Sequence, residues 1–327
     1  MSATITTPTG PAVSAGPAPV PSPAQRRPSS RVKKRLEIAL FVGPAVIVYL
    51  AFVLLPVGLA AVYSLFKWNG YGPLEDFNFP ANYVRALTDP VFIDAIGHNM
   101  FIVVASLVVQ GPIAIGVALL INRKLRGRTI FRVIIFIPYV LSEVIAGLSW
   151  RLLLQPNGPF DSFLASIGLG DLKQLWLADS DIVLWTLFAI LTWKYVGFAI
   201  ILFLAGLQGV PEELSEAAQI DGASWWQVQR HITIPLLGPT IRIWAFLSII
   251  GSLQLFDMVW IVTGGGPANA TTTMATYMVQ YGFQRSQLGY GSAVAVILFL
   301  ISLAIALVYQ RYVLRRDLEG GLTQGVG

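Results

Sequence analysis

Apolar residues in this chain come in long unbroken runs, with neither the alternation of a half-buried strand nor the single stripe of a surface helix. The runs occupy residues 38–65, 99–121, 130–150, 182–207, 241–262 and 289–309. Each reaches the ~20 residues that a helix needs to cross a bilayer. The first is uncharged and longer than the ~7–15-residue apolar core of a cleaved signal peptide, so it predicts a retained helix, bent at Pro44 and Pro56. Glu143, Lys194 and Asp257 lie within the third, fourth and fifth runs. Between the runs stand polar segments at 67–98, 122–128, 151–181, 211–239 and 263–288. Residues 1–30 are rich in Pro, Ala, Ser and Thr with no apolar period, which predicts disorder.

Basic side chains orient these runs. Arg26, Arg27, Arg31, Lys33, Lys34 and Arg35 precede the first, the 123–128 group follows the second, Arg230 follows the fourth, and Arg311, Arg315 and Arg316 follow the sixth. The other polar segments hold only Lys67, Arg85, Arg151, Lys173 and Arg285. The bias places the first set in the cytoplasm. The expected architecture is an all-α integral membrane protein of six transmembrane helices with both termini cytoplasmic. It divides into a basic tail over 1–36, a first helix and external segment over 37–98, a five-helix core over 99–314 holding a cytoplasmic loop at 207–240, and a tail over 315–327.

Composition agrees: 55% of residues are hydrophobic, 12% are charged and the mean hydropathy is +0.67. The net charge of +5 sits beside the apolar runs, so it reads as membrane anchoring and predicts no nucleic-acid partner. There is no Cys and only His98 and His231, which excludes a disulfide framework, a thiol nucleophile and a His-rich metal site. The phosphate-binding pattern GxxxxGK[ST] needs a Gly-Lys pair, and the chain has none. It reads as a non-enzyme, and any ATP that drives it must bind another polypeptide. No internal repeat is visible, so an inverted-repeat carrier gains no support.

The segment 211–239 carries the most specific pattern. Pro211 suits a first helical position, and Glu212, Glu213 and Glu216 fill turns where a helix favours negative charge. Asp221-Gly222 stops that helix, with Gly222 free to take a positive φ. Ser224 caps a second helix, Gln227 completes a capping box, and Pro235 and Pro239 limit it. Two short helices around a glycine bend, at a membrane face, make a docking element.

Glu216-Ala217-Ala218, then Asp221-Gly222-Ala223, then 232–235 and Pro239 closely resemble the EAA loop of ABC importer permeases. FRVIIFIPYV over 131–140, and the TGGGP that opens the 263–288 segment, resemble the sugar-importing members. The resemblance runs from Asn99 through the sixth run and is weakest in the first helix and outer loops. It implies a type I importer permease fold in a bacterial plasma membrane and a carbohydrate cargo. It also implies a second permease as heterodimer partner, ABC ATPase subunits that bind ATP and Mg, and a solute-binding protein outside, with no cofactor on this chain. The implied ATPase-coupling residues are Glu216, Ala217, Ala218, Asp221, Gly222, Ala223 and Pro235.

In the fifth run Ser248, Gly251, Ser252 and Leu255 stand at i, i+3, i+4 and i+7, on one helical side. Such a face leaves room for a polar solute or permits close helix packing, the commoner use of small residues in membranes. Matching the flanking runs to the maltose-type permease puts its sugar-lining positions at Lys194, Tyr195 and Phe198 in the fourth run and at those four in the fifth. Ser248 is retained; most of the others differ. A charge at the bilayer centre costs about 2.5–3.5 kcal/mol, so Glu143, Lys194 and Asp257 either line a polar path, pair between helices or reach the interface. Two other readings stay open: the same importer class carrying glycerol phosphate, an osmolyte or an amino acid, and an ion-coupled secondary carrier with those three charges as its relay.

Overall fold

With no water to hydrogen-bond them, backbone groups inside a bilayer must pair within their own segment, and coiling into helices does this. The computed structural model describes residues 30–122 and 127–314, and these are helices and turns joined by loops, with one isolated β-bridge between Phe66 and Phe77. Of the segment 1–30 expected to be disordered, residues 1–29 lie outside the described residues, as do the basic group at 123–126 and the tail over 315–327.

The chain divides into two compact units, one ending at Pro56 and one starting at Val57. The first holds helix α1 (Ser30–Tyr49), with Pro44 inside it, and a π turn over Leu50–Leu54. Residues 30–36, assigned from the sequence to a tail, are therefore helical. Next come α2 (Leu55–Tyr63), α3 (Ala81–Thr88), α4 (Pro90–Ala105), α5 (Gly111–Ile121), α6 (Arg128–Val140), α7 (Glu143–Leu153) and α8 (Pro159–Ser166). They are followed by α9 (Val183–Leu207), α10 (Glu212–Ile220), α11 (Trp225–Val228), α12 (Ile234–Leu236), α13 (Gly238–Leu253), α14 (Asp257–Val262), α15 (Met274–Val279) and α16 (Leu288–Tyr309). Among the described residues four continuous stretches are long and apolar enough to cross a membrane, or up to six if each of two bent pairs is one span.

Three boundaries differ from the sequence expectation, each for a local reason. The second span begins at Pro90 and not at Asn99, because Asp89 caps it by accepting from the Val91 and Phe92 amides at 2.9 and 3.4 Å. Pro90 then supplies the fixed φ of a first turn, and Asp94 and His98 are carried into the helix. The third span bends by 92° between α6 and α7, where Leu141 and Ser142 are extended and Ser142 caps the second piece. The fifth stops at Leu253. Its last carbonyls are met from elsewhere: Asn99 Nδ2 donates to Ser252 O at 2.6 Å and to Leu253 O at 3.3 Å. Thr273 Oγ1 donates to Leu255 O at 2.8 Å, and Asp257 starts the separate helix α14.

π turns at Leu50–Leu54, Ser106–Gln110 and Gln229–Thr233 each end two residues before a proline, at Pro56, Pro112 and Pro235. Proline has no N–H to give the preceding turn, and a widened turn accommodates the lost bond. Among the described residues of the second unit, α9 packs on α5 and α6, α13 on α4, α9 and α16, and α14 on α7. On α15 and α16, Tyr277 and Tyr290 share a hydroxyl contact of 2.8 Å, and Tyr277 also donates to Asp89 Oδ2 at 2.8 Å. Burial first, and then these two neighbours, hold the Tyr277 hydroxyl well above the usual tyrosine range, so it stays a neutral donor.

Candidate functional site

The hairpin α10–α11 is built as the sequence predicts, with a one-residue shift. Pro211 is extended and caps α10, which starts at Glu212 with two glutamates in its first turn. At its end the Gly222 amide donates to Gln219 O at 3.0 Å and the Ala223 amide to Ala218 O at 2.9 Å. Gly222 sits at φ +85°. This paired-bond stop needs a left-handed residue, which glycine adopts without side-chain strain. Ser224 then opens α11, its amide donating to Gln227 Oε1 at 2.7 Å. Glu216, Ala217, Asp221 and Gly222 are exposed, Ala218 and Ala223 are half-buried, and Pro235 is exposed two residues into the last turn of the hairpin's second arm. Ile220 is 86% exposed and Trp226 73%, an unusual amount of bare apolar surface for a polar segment. Between the helices Ala218, Gly222, Gln227, Val228 and His231 line a groove of about 380 Å³.

The other face of the hairpin is anchored. Leu237 is fully buried beside Ala114, Ala118, Phe203 and Leu207, and Trp225 and Ile234 pack against that cluster. The same cluster contains Trp244, whose ring meets Phe203 edge-on at 5.5 Å between centroids.

Trp244 also lines a second cavity, of about 240 Å³, enclosed by α9, α13, the end of α6 and the π turn at Ser106–Gln110. Six of the seven residues matched to a sugar site stand on its wall: Tyr195, Phe198, Ser248, Gly251, Ser252 and Leu255. The sequence did not single out Ser106, Gln110 and Tyr139, which supply further polar and aromatic groups to the wall. Tyr139 lies stacked on Phe198, centroids 5.0 Å apart and planes within 20°. Ser106 and Gln110, at i and i+4 in an apolar run and both buried, were the available signal.

Lys194 is the exception. It is 1% exposed and is not among the residues on the cavity wall. Its ammonium donates to the carbonyls of Pro138 at 3.1 Å, Tyr139 at 3.2 Å and Leu141, and lies 3.6 Å from Glu143 Oε1. The break between α6 and α7 leaves carbonyls unpaired, and a cation is the natural partner for the C-terminal end of a helix. Glu143 also accepts from the Tyr195 hydroxyl at 3.1 Å. Lys194 and Glu143 therefore pair with each other, while Asp257 is exposed at the start of α14. No group of three or more His, Cys, Asp or Glu among the described residues has the arrangement of a metal site.

Residues 110–318 match the family described as binding-protein-dependent transport system inner membrane component. A probable ABC transporter permease of Pyrococcus horikoshii is 34% identical over 83% of this chain and 94% of its own. The diacetylchitobiose uptake system permease of Streptomyces coelicolor is 31% identical over 88% and 86%, and the trehalose/maltose transport system permease of Thermococcus litoralis 31% over 83% and 91%. A chain from the crystal structure of a bacterial ABC transporter involved in alginate import shares the fold, with a TM-score of 0.76 at 24% identity, covering 87% of this chain and 97% of that one.

Proposed function

Because this chain belongs to the family of binding-protein-dependent transport system inner membrane components, and so spans the membrane as a transport subunit and not as an enzyme, we propose that it carries a carbohydrate, an oligosaccharide, into a bacterial cell. The cargo is delivered by an extracytoplasmic binding protein. A second permease completes the transmembrane pathway as a heterodimer, and ATP with Mg binds on separate ATPase subunits beneath the hairpin. The observation that carries the reading is Trp244, which belongs at once to the core under the hairpin and to the wall of the cavity. The names of the Streptomyces and Thermococcus relatives, which are sugar permeases, support a sugar as cargo. So does the lining, where aromatic faces suit the apolar side of a sugar ring and hydroxyls and an amide suit its OH groups.

The mechanism is alternating access. ATPase closure draws on the exposed side of α10, with Glu216 as a charged contact, and Trp225 and Ile234 of the following arm pass that motion through Leu237, Phe203 and Trp244 to the helices around the cavity. Neither ATP nor the binding protein shifts this equilibrium unless each has a higher affinity for the outward-open state than for the inward-open one. The ion-coupled alternative is not favoured, since its relay charges Lys194 and Glu143 are joined to each other and the family is binding-protein-dependent. The test is purification of the tagged chain with its partners, followed by ATP hydrolysis in proteoliposomes. An ATPase subunit should co-purify, and hydrolysis should rise when a sugar-loaded binding protein is added. Sugar uptake driven by an ion gradient without ATP would refute the proposal.

A further inference from the structure

Lys194, Gly197 and Phe198 occupy i, i+3 and i+4 of α9 and so share one face. The last turn of α6 lies on that face at three points. The Lys194 ammonium takes the carbonyls of Pro138, Tyr139 and Leu141. At Gly197 the backbones touch: a β-carbon there would overlap the Ile135 carbonyl and stand 3.4 Å from Phe136 Cα. Phe198 receives the Tyr139 ring. Beyond the break, Glu143 closes the arrangement by meeting both the Lys194 ammonium and the Tyr195 hydroxyl.

We propose that Lys194 is a positioning residue of the cavity: bridging the carbonyl end of α6 to Glu143 of α7 across the 92° break, it fixes where Tyr139 and Tyr195 stand in the wall without itself reaching the cargo. An ammonium has three N–H donors, and here three carbonyls accept from it while Glu143 lies 3.6 Å away as its counter-ion, so it defines the position of the break and not merely its charge balance. No neutral side chain of similar length supplies that many donors. Without the bridge, Glu143 is left beside Tyr195 with no cation, and the freed carbonyls of α6 must find other partners. The proposal rests on the reading of this cavity as the cargo site.

The bridge can be read with no cargo present, by fluorine resonance of the assembled importer carrying 3-fluorotyrosine. Tyr139 and Tyr195 are identified by the signals lost in Tyr139→Phe and Tyr195→Phe. Lys194→Met should move both signals and leave that of Tyr277 in place, while Lys194→Arg, which keeps the charge and several donors, should stay closer to the native spectrum. Glu143→Gln should move Tyr195 more than Tyr139, and carries the test if Lys194→Met does not assemble. Native Tyr139 and Tyr195 signals in Lys194→Met, or a Tyr277 signal that moves with them, would overturn the proposal. Uptake then distinguishes this failure from failure of the cargo reading. With maltose, trehalose and diacetylchitobiose as probes, Lys194→Met should transport about tenfold less sugar per ATP hydrolysed, the scale of losing a side chain that orients binding groups, and Lys194→Arg should recover part of it. An unchanged ratio in Lys194→Met would count against the positioning role. If the signals move but the native importer carries none of these sugars, the cargo reading falls and the bridge stands.

Discussion

At Gly197 the absence of a side chain lets α6 and α9 meet backbone to backbone, because the Ile135 carbonyl fills the space a β-carbon would need. Gly197→Ala must push α6 and α9 apart. Overpacking of this kind costs about 1–3 kcal/mol, so the purified protein should melt at a lower temperature, whereas Gly116→Ala, with open space around it, should not. Phe198→Ala tests the stack directly. It should impair sugar uptake while leaving assembly with the ATPase intact, and unchanged uptake kinetics would remove Phe198 from the site. Single residues were only partly legible in the sequence. Tyr195 and Phe198 were placed only through the family resemblance, whereas helical spacing itself put Ser248, Gly251, Ser252 and Leu255 on one side. Lys194 shares α9 with Tyr195 and Phe198, yet its environment depends on where a different helix ends. No period in its own run carries that information.

The hairpin α10–α11 was the most legible element, because its stop and start are both made by local chemistry: a left-handed glycine and a reciprocal serine–glutamine cap. Gly222 has open space around it, so substitutions there act through the backbone alone. Gly222→Asn should retain most of the cargo-stimulated ATP hydrolysis, since Asn tolerates positive φ. Gly222→Pro cannot adopt φ +85° and should abolish it, as should Glu216→Lys by inverting the charge on the exposed face, with the protein still in the membrane. Wild-type turnover in both of the latter would show that the hairpin does not couple. Helix ends inside the apolar runs were the least legible features. Hydropathy sees an apolar run as one helix, whereas the carbonyls at the stops after Val140 and Leu253 are met by Lys194 and Asn99 from helices far away in sequence. Pro90, read as part of a polar loop, was a local signal that could have placed the start of α4.

At the scale of the molecule, the number of spans and the membrane class followed from the length and charge flanks of the apolar runs, which bilayer thickness constrains tightly. The cargo did not, because a cavity wall drawn from the end of α6, a π turn, α9 and α13 exists only once the helices have packed. On the proposed reading these parts divide the labour: the chain supplies the pathway, and a separate ATPase would supply the force through the hairpin. Since the native chain contains no cysteine, one placed at Ile220, 86% exposed on the hairpin, reports its surroundings without interference. In membranes holding the whole importer, a short bifunctional reagent should join Ile220→Cys to the ATPase subunit, and an impermeant maleimide added to intact cells should leave it unlabelled. Ready labelling from outside the cell, with no cross-link to any ATPase, would contradict the account.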